Sequence, residues 1–126
     1  MDLKLELVSV PVSDVDRAKD FYVKQLGFHL DIDQRLNETV RFVQLTPPGS
    51  SCSITIGQGV TDMKPGSVHG LLLVVTDIKA AHAELVGRGV KLSEPKTEPW
   101  GAIHAYFSDP DGNEWTLQQP RAQAHD

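Results

Sequence analysis

The side chains best suited to chemistry in this sequence are His104 and Tyr106, which lie two residues apart in the C-terminal quarter. Apolar residues alternate with them at Ile103, Ala105 and Phe107, and this period of two predicts a strand with one face under a helix. His104 and Tyr106 then share the opposite face, where a histidine can act as an acid or base near neutral pH. Both side chains can equally line a pocket without catalysis, and we favour that interpretation.

A second predicted strand, over residues 39–45, has the same kind of pattern. Val43 and Leu45 face the helix side, so Phe42 and Gln44 share the other face. Aromatic side chains beside a few polar groups are typical of small-molecule pockets. Trp100 is either a lid over the pocket or a tryptophan of the core or of an interface. The predicted ligand-binding residues are Ser9, Phe42, Gln44, Ser53, Thr55, Leu72, Trp100, His104, Tyr106 and Thr116.

The elements that position these residues occur twice in the chain. Residues 7–28 begin as an alternating strand, continue with apolar residues at helical spacing and then alternate again. Residues 70–90 repeat this order, and Asp77 matches Asp14. A side-chain oxygen of Ser13 or Asp14 caps the first helix. Two copies without a third indicate a duplicated module and not a solenoid.

Turn residues divide the chain into two βαβββ modules. Leu30 and Ile32 alternate along the second strand, which places both on one face. The predicted segments are module one at 3–58, a linker at 59–67, module two at 68–119 and a frayed tail at 120–126. The predicted strands are 3–12, 29–34, 39–45, 52–57, 69–75, 91–95, 103–108 and 114–118, and the predicted helices are 14–26 and 78–88.

Composition limits the classes of function that fit. The net charge is −5 and no basic patch is present, which disfavours nucleic acid and anionic membranes as partners. No apolar run approaches the length of a membrane span, and the first residues lack the pattern of a signal peptide. Cys52 is the single cysteine, so no intrachain disulfide and no cysteine metal cluster can form. We expect a cytoplasmic protein.

The duplicated βαβββ pattern resembles the vicinal-oxygen-chelate superfamily, which includes glyoxalase I, extradiol dioxygenases, and fosfomycin- and bleomycin-resistance proteins. The resemblance covers residues 3–119 and rests on SDVDRAKDFYVKQLGF in module one and DPDGN before the last strand. It implies an α+β fold in which two βαβββ modules pair into a cup-shaped, open barrel-like sheet with the helices outside. It also implies that a small molecule binds inside the cup.

The resemblance further implies four cup-facing positions at which some members hold a divalent metal. In this sequence those positions are Leu7, Thr55, Gly70 and Thr116, none of which has an imidazole, thiolate or carboxylate. We therefore expect no metal and no other cofactor. A one-residue slip of the strands would instead turn Glu6 and His69 inward, but it would move both strands' apolar residues off the helix side. His29 has no partner at ligand spacing and is expected on the surface.

Three functional interpretations follow, and whether the protein is an enzyme stays open. The first is a metal-free binding protein resembling bleomycin-resistance proteins, which takes an apolar or aromatic metabolite or drug. The second is a metal-free lyase, isomerase or cyclase that uses His104 or Tyr106. The third is a metal-dependent glyoxalase or dioxygenase, and the four positions without ligand side chains rank it last. We adopt the first interpretation.

The assembly expected from the sequence is a C2 homodimer. Each βαβββ module leaves sheet edges and an apolar helix face that a single short chain covers incompletely. Strands one and five, which open the two modules, are the expected contributors. The glycines of residues 59–66 are suited to an exchange of modules between chains, so both side-by-side and exchanged dimers are compatible with the sequence.

Overall fold

The computed structural model describes residues 1–122 of the chain, and residues 123–126 of the predicted tail lie outside the described part. It confirms the α+β class and the βαβββ order in both halves. A π-helical segment, Phe21–Gln25, continues the first helix. The helices are α1 (Val15–Asp20) and α2 (Ile78–Gly87), and the strands are β1 (Leu7–Ser9), β2 (His29–Arg35), β3 (Arg41–Thr46), β4 (Ser53–Thr55), β5 (Leu71–Val74), β6 (Lys96–Thr97), β7 (Ile103–Ser108) and β8 (Glu114–Gln119).

Two compact units make up the chain, and each contains one four-stranded mixed sheet. Unit 1 comprises Met1–Val68 and the turn Asp109–Asn113, and its strand order is β1-β4-β3-β2. Unit 2 comprises His69–Ser108 and the described chain after Asn113, with the order β5-β8-β7-β6. In each sheet the first strand pairs in parallel with the last, and the other pairs are antiparallel. The identical pairing scheme is the one that a duplicated module requires.

Both helices begin at an aspartate. The side chain of Asp14 accepts a hydrogen bond from the Arg17 amide at 3.1 Å, and Asp77 does the same for the Ala80 amide at 3.1 Å. These carboxylates satisfy an amide that has no partner inside the helix and place a negative charge at its positive end. The cap left open in the sequence between Ser13 and Asp14 is therefore Asp14.

The core of unit 2 fixes which side of its sheet faces α2. Ile78 of α2 packs with Ala105 of β7 and Leu117 of β8, and all three are at most 2% exposed. Leu73 and Ile103 pack against the same cluster. Since side chains alternate along a strand, the residues between them lie on the other face of the sheet. In unit 1, Val43 and Leu45 of β3 are fully buried in the same manner.

The turn Asp109–Asn113 is held inside unit 1 by buried hydrogen bonds. The Tyr22 hydroxyl donates to the Asp109 carboxylate at 2.7 Å. Asn113 is fully buried; its side-chain amide donates to the Pro11 carbonyl at 2.8 Å, and its side-chain oxygen accepts from the Val68 amide at 3.1 Å. The DPDGN stretch of the sequence therefore has a structural role in this unit.

The first and sixth strands differ from the prediction. The first covers only Leu7–Ser9 and not 3–12, because its partner β4 has just three residues. The sixth lies at Lys96–Thr97 and not at 91–95. Leu92 is drawn into the core around α2, and Pro95 has no amide hydrogen for a ladder, so regular pairing with β7 starts only after the proline.

A β-bulge in β2 changes the face of the residues that follow it. Leu30 pairs with Leu45, but Ile32 pairs with Gln44, so Asp31 is the extra residue. Ile32 therefore lies on the face of Gln44, at 41% exposure, and the expectation that Leu30 and Ile32 share a face is wrong. No helix in residues 1–122 is both long and apolar enough to cross a membrane.

Candidate functional site

Three of the predicted ligand-binding residues lie side by side in unit 1. Thr55 of β4 pairs with Ser9 of β1 on one side and with Gln44 of β3 on the other. Directly opposed residues point to the same face, so this row lies on the face away from the buried Val43 and Leu45. Phe42 lies two residues from Gln44 on β3 and therefore shares its face.

A polar group surrounds the predicted Ser53 on this face, and we call Asp31, Gln44, Thr46 and Ser53 the Asp31 cluster. The Thr46 hydroxyl hydrogen-bonds the Asp31 carboxylate and lies 2.6 Å from the Ser53 hydroxyl. The side-chain amide of Gln44 donates to Asp31 at 3.4 Å and to Ser53 at 3.5 Å. Asp31 and Thr46 were not among the predicted residues, although alternation along β2 and β3 places Asp31 on the face of His29 and Thr46 on the face of Gln44.

The Asp31 carboxylate is kept ionised by its neighbours. The hydroxyl of Thr46 and then the imidazole of His29, whose Nδ1 is 2.8 Å from Asp31 Oδ1, lower the pKa of Asp31 below its usual range. His29 is exposed, as expected from the sequence, but it does have this partner. The cluster therefore holds a negative charge whose only ionisable partner within residues 1–122 is the surface residue His29.

Thr55 combines burial with an unused hydroxyl. The residue is 2% exposed, and within residues 1–122 its Oγ1 makes no hydrogen bond. Buried polar atoms are nearly always paired in folded proteins, because burial removes their contact with water. The hydroxyl therefore lies ready for a polar partner at the centre of the row that joins Ser9 to Gln44.

In unit 2, His104 is the centre of a second polar group, which we call the Glu98–His104 network: Glu98, His104, Tyr106 and Gln118. His104 Nε2 lies 2.8 Å from Gln118 Oε1, and His104 Nδ1 lies 3.5 Å from Glu98 Oε1. The Tyr106 hydroxyl donates to Glu98 at 3.2 Å. Neither Glu98 nor Gln118 was among the predicted residues. Glu98 lies just after the short strand β6 and has no signal in the sequence spacing, whereas Gln118 lies two residues from Thr116 on β8 and shares its face.

Tyr106 acts as a hydrogen-bond donor in this arrangement. Partial burial, and then its hydrogen bond to the Glu98 carboxylate, raise the pKa of Tyr106. The phenol therefore keeps its proton at neutral pH and cannot accept one as a general base.

The remaining predicted residues of unit 2 surround this network or lie beside it. Thr116 of β8 pairs with Leu72 on one side and with Tyr106 on the other, the same arrangement as the row in unit 1. The Trp100 ring meets His104 edge-on at 5.9 Å and is 57% exposed, so Trp100 is not part of the core. A pocket of about 640 Å³ opens beside Tyr106 and Thr116 and also touches Gly70, Lys91 and Glu114.

Nearly the whole sequence matches one protein superfamily. The sequence profile of the Glyoxalase/Bleomycin resistance protein/Dioxygenase superfamily matches residues 4–117. The chain belongs to this superfamily. The resemblance found in the sequence is thereby confirmed, and the two βαβββ units described above are its fold.

Solved structures of this superfamily match nearly the whole chain. An antibiotic binding protein, TnmS3 from Streptomyces sp. CB03234, is 44% identical with a TM-score of 0.84, covering 94% of this chain and 97% of its own. A glyoxalase/bleomycin resistance protein from the same organism is 45% identical with a TM-score of 0.79, covering 92% and 100%. A superfamily member from Sphaerobacter thermophilus is 35% identical with a TM-score of 0.82, covering 94% and 98%.

The four positions at which the resemblance implies a metal carry no ligand side chain in this sequence. They are Leu7 and Thr55 in unit 1 and Gly70 and Thr116 in unit 2, and none of these residues has an imidazole, thiolate or carboxylate. Across residues 1–122, no three histidine, cysteine, aspartate or glutamate side chains lie close enough together to hold a metal ion.

The alternative pair of ligands, Glu6 and His69, does not arise from the strand registers. Leu7 pairs with Ser53 and Leu72 with Thr116, which is the register expected from the apolar pattern and not the slipped one. Glu6 is exposed, and His69 is engaged by Glu114 at 2.9 Å with both side chains more than half exposed. That the ten predicted residues bind a ligand stays a prediction.

Proposed function

We propose that this protein binds an apolar or aromatic small molecule, a metabolite or a drug, without a metal, on the sheet faces that carry the predicted residues. The observation that carries the proposal is the 44% identity, over nearly the whole of both chains, to a protein described as antibiotic binding. Relatives this similar usually keep the general use of the site, whereas the fold alone supports many functions.

The composition of the two faces supports this class of ligand. Phe42 lies on the sheet face of unit 1 that carries the predicted residues. Leu72 and Tyr106 lie on the corresponding face of unit 2 with Trp100 beside them, and these three side chains are each about half exposed. Exposed aromatic and aliphatic side chains next to a few oriented polar groups are the usual lining of ligand pockets. The pocket of about 640 Å³ beside Tyr106 lies within the range of roughly 300–1,000 Å³ common for such sites.

A fluorescent aromatic probe tests the proposal. N-phenylnaphthylamine brightens when it leaves water, so titration with the wild-type protein should give a saturable increase. Leu72→Asp places a charge on the face of unit 2 and should weaken binding by roughly tenfold or more. Val86→Asp is the matched control, because Val86 has similar exposure but lies on α2. No saturable increase with the wild type, or equal weakening by both variants, would contradict the proposal.

A metal-free lyase, isomerase or cyclase is the second candidate, and the Glu98–His104 network favours it. A carboxylate near one nitrogen of an imidazole can orient the ring for acid–base chemistry, and a substrate would then have to replace Gln118, whose Oε1 lies 2.8 Å from His104 Nε2. To test this candidate, compounds recovered from the purified protein are incubated with the wild type or with His104→Gln, and the products are compared by mass spectrometry. A product formed by the wild type alone, with binding retained in the variant, indicates catalysis; compounds returned unchanged favour the binding protein.

We also propose a C2 homodimer, because β1 and β5 are sheet edges and Leu72 and Val74 of β5 are exposed apolar residues. A cytoplasmic location is proposed from the single, unpaired Cys52. Fractionation of cells that produce the tagged protein tests the location, and recovery outside the cytoplasmic fraction would contradict it.

A further inference from the structure

The Asp31 cluster has more hydrogen-bond acceptors than donors. Thr46 gives its one hydroxyl hydrogen to Asp31, so the hydrogen bond between the Thr46 and Ser53 hydroxyls must be donated by Ser53. The Gln44 amide directs its hydrogens to Asp31 and Ser53. Every side-chain hydrogen in the cluster is thus used within it, and what remains towards the open face is the carboxylate of Asp31.

Within residues 1–122 no lysine or arginine pairs with this carboxylate, and its one ionisable partner is the exposed His29, whose Nδ1 lies 2.8 Å from Asp31 Oδ1. Within residues 1–122 the side-chain partners of Asp31 are His29, Gln44 and Thr46. Asp33, two residues further along the same strand, is in contrast held by Lys19 at 2.7 Å and by Arg41 at 2.8 Å on the other face. Asp33 therefore has two basic partners on the helix side of β2. Asp31, on the face of the predicted ligand-binding residues, has no lysine or arginine partner within residues 1–122.

A second, independent feature of the same face points to a missing polar partner. The hydroxyl of Thr55 is buried and makes no hydrogen bond in the described chain, and Thr55 pairs directly with Gln44 of the cluster. A ligand group that reaches the cluster would therefore lie beside an unused hydroxyl as well as a carboxylate that no lysine or arginine of the described chain pairs with. The Asp31 side chain is 25% exposed, so it can be reached from solvent.

We propose that the Asp31 cluster is a subsite for a protonated amine of the bound small molecule, so that the ligand class is an aromatic or apolar compound that carries an ammonium group. The inference rests on the proposed function and specifies its ligand. Asp31 supplies the charge and accepts a hydrogen bond from the ammonium, and Thr55 accepts or donates one to a neighbouring polar group. A charge-assisted hydrogen bond of this kind is stronger than one between neutral groups.

Two probes of nearly equal shape test the subsite: naphthylmethylamine, which is protonated near neutral pH, and naphthylmethanol, which is neutral. Calorimetric titration of the wild type should give tighter binding of the amine by roughly tenfold to a hundredfold. Asp31→Asn should remove this preference and leave the affinity for the alcohol unchanged. Asp33→Asn changes the protein charge equally on the same strand but should keep the preference, which separates a local contact from general attraction by a negative protein.

The outcomes distinguish this inference from the proposed function. Equal binding of the two probes by the wild type, or a preference that survives Asp31→Asn, overturns the subsite and leaves aromatic binding intact. Failure of both probes to bind overturns both. If thermal melting shows that Asp31→Asn does not fold, Thr46→Val serves in its place, because it removes the hydrogen bond that orients the carboxylate and should reduce the preference severalfold.

Discussion

The polar side chains of this protein differ in how many of their possible hydrogen bonds they form. His104 has partners at both ring nitrogens, whereas the Thr55 hydroxyl has none in the described chain. Groups with all partners in place contribute to stability, while a buried group without one costs stability and is retained where it serves another purpose. The unpaired hydroxyl of Thr55 is therefore a candidate for contact with a ligand.

Two substitutions separate these roles. Thr55→Val removes an unpaired hydroxyl and keeps the shape of the side chain, so the free energy of unfolding should rise by about 1–2 kcal/mol at most. Thr46→Val removes a hydroxyl that bonds both Asp31 and Ser53, so stability should fall by about 1–2 kcal/mol. Urea unfolding followed by circular dichroism measures both. A loss of stability in Thr55→Val would mean that its hydroxyl has a partner after all.

Low pH should reduce the stability of the protein through two carboxylates of β2, Asp31 and Asp33. Hydrogen bonds from Arg41 and then Lys19 hold the pKa of Asp33 far below its usual range, and those from Thr46 and His29 lower that of Asp31. A carboxylate whose pKa is lower in the folded state adds stability above its unfolded pKa and loses it as the pH falls through the folded value. Stability should therefore decline as the pH falls below about 4. Melting temperatures across this range should fall less steeply for Asp33→Asn.

Residue faces were predicted correctly wherever the strands are regular. The alternation around Val43 and Ala105 placed their neighbours on the opposite face, and the strand registers agree. The bulge in β2, which moves Ile32 to the face of Gln44, was missed because an inserted residue leaves no mark in a period-two pattern. Glu98 was missed because it reaches His104 through strand pairing and not through sequence spacing.

At the scale of elements, the turn Asp109–Asn113 holds together segments that are far apart in sequence. The side chain of Asn113 forms hydrogen bonds with both Pro11 and Val68, and the side chain of Asp109 forms one with Tyr22. Helix caps at Asp14 and Asp77 could be predicted because a cap is a local structure. The lengths of β1 and β6 could not, because each is set by a distant pairing partner.

Removing the Asn113 side chain should therefore destabilise unit 1. Asn113→Ala deletes the donor to the Pro11 carbonyl and the acceptor of the Val68 amide, leaving buried polar groups unpaired, so we expect a loss of about 3 kcal/mol. Glu114→Gln, at the next residue but exposed, is the control and should stay within about 0.5 kcal/mol of wild type. Equal melting temperatures for wild type and Asn113→Ala would show that the turn does not carry this stability.

At the scale of the whole molecule, purified protein should hold no stoichiometric nickel, zinc, iron or manganese. The reason is that Leu7, Thr55, Gly70 and Thr116 supply no ligand side chains. Elemental analysis should find well under one metal per chain, and adding these ions should leave the melting temperature unchanged. About one tightly bound metal per chain would contradict this expectation, and Glu6→Gln and His69→Gln would then be the first variants to examine.

The last prediction concerns assembly. In the sheets formed by residues 1–122, β1 and β5 are edge strands with a neighbouring strand on one side only, and Val74 of β5 exposes 61% of its surface. Exposed apolar edge strands tend to associate, and closed twofold symmetry is the commonest outcome for identical chains. Light scattering over a dilution series should give the mass of a dimer. Val74→Lys should shift the equilibrium towards monomer, whereas Val86→Lys, on α2 at 48% exposure, should not. A monomer mass that persists at high micromolar concentration would contradict the dimer, and equal effects of the two variants would show that β5 does not form its interface.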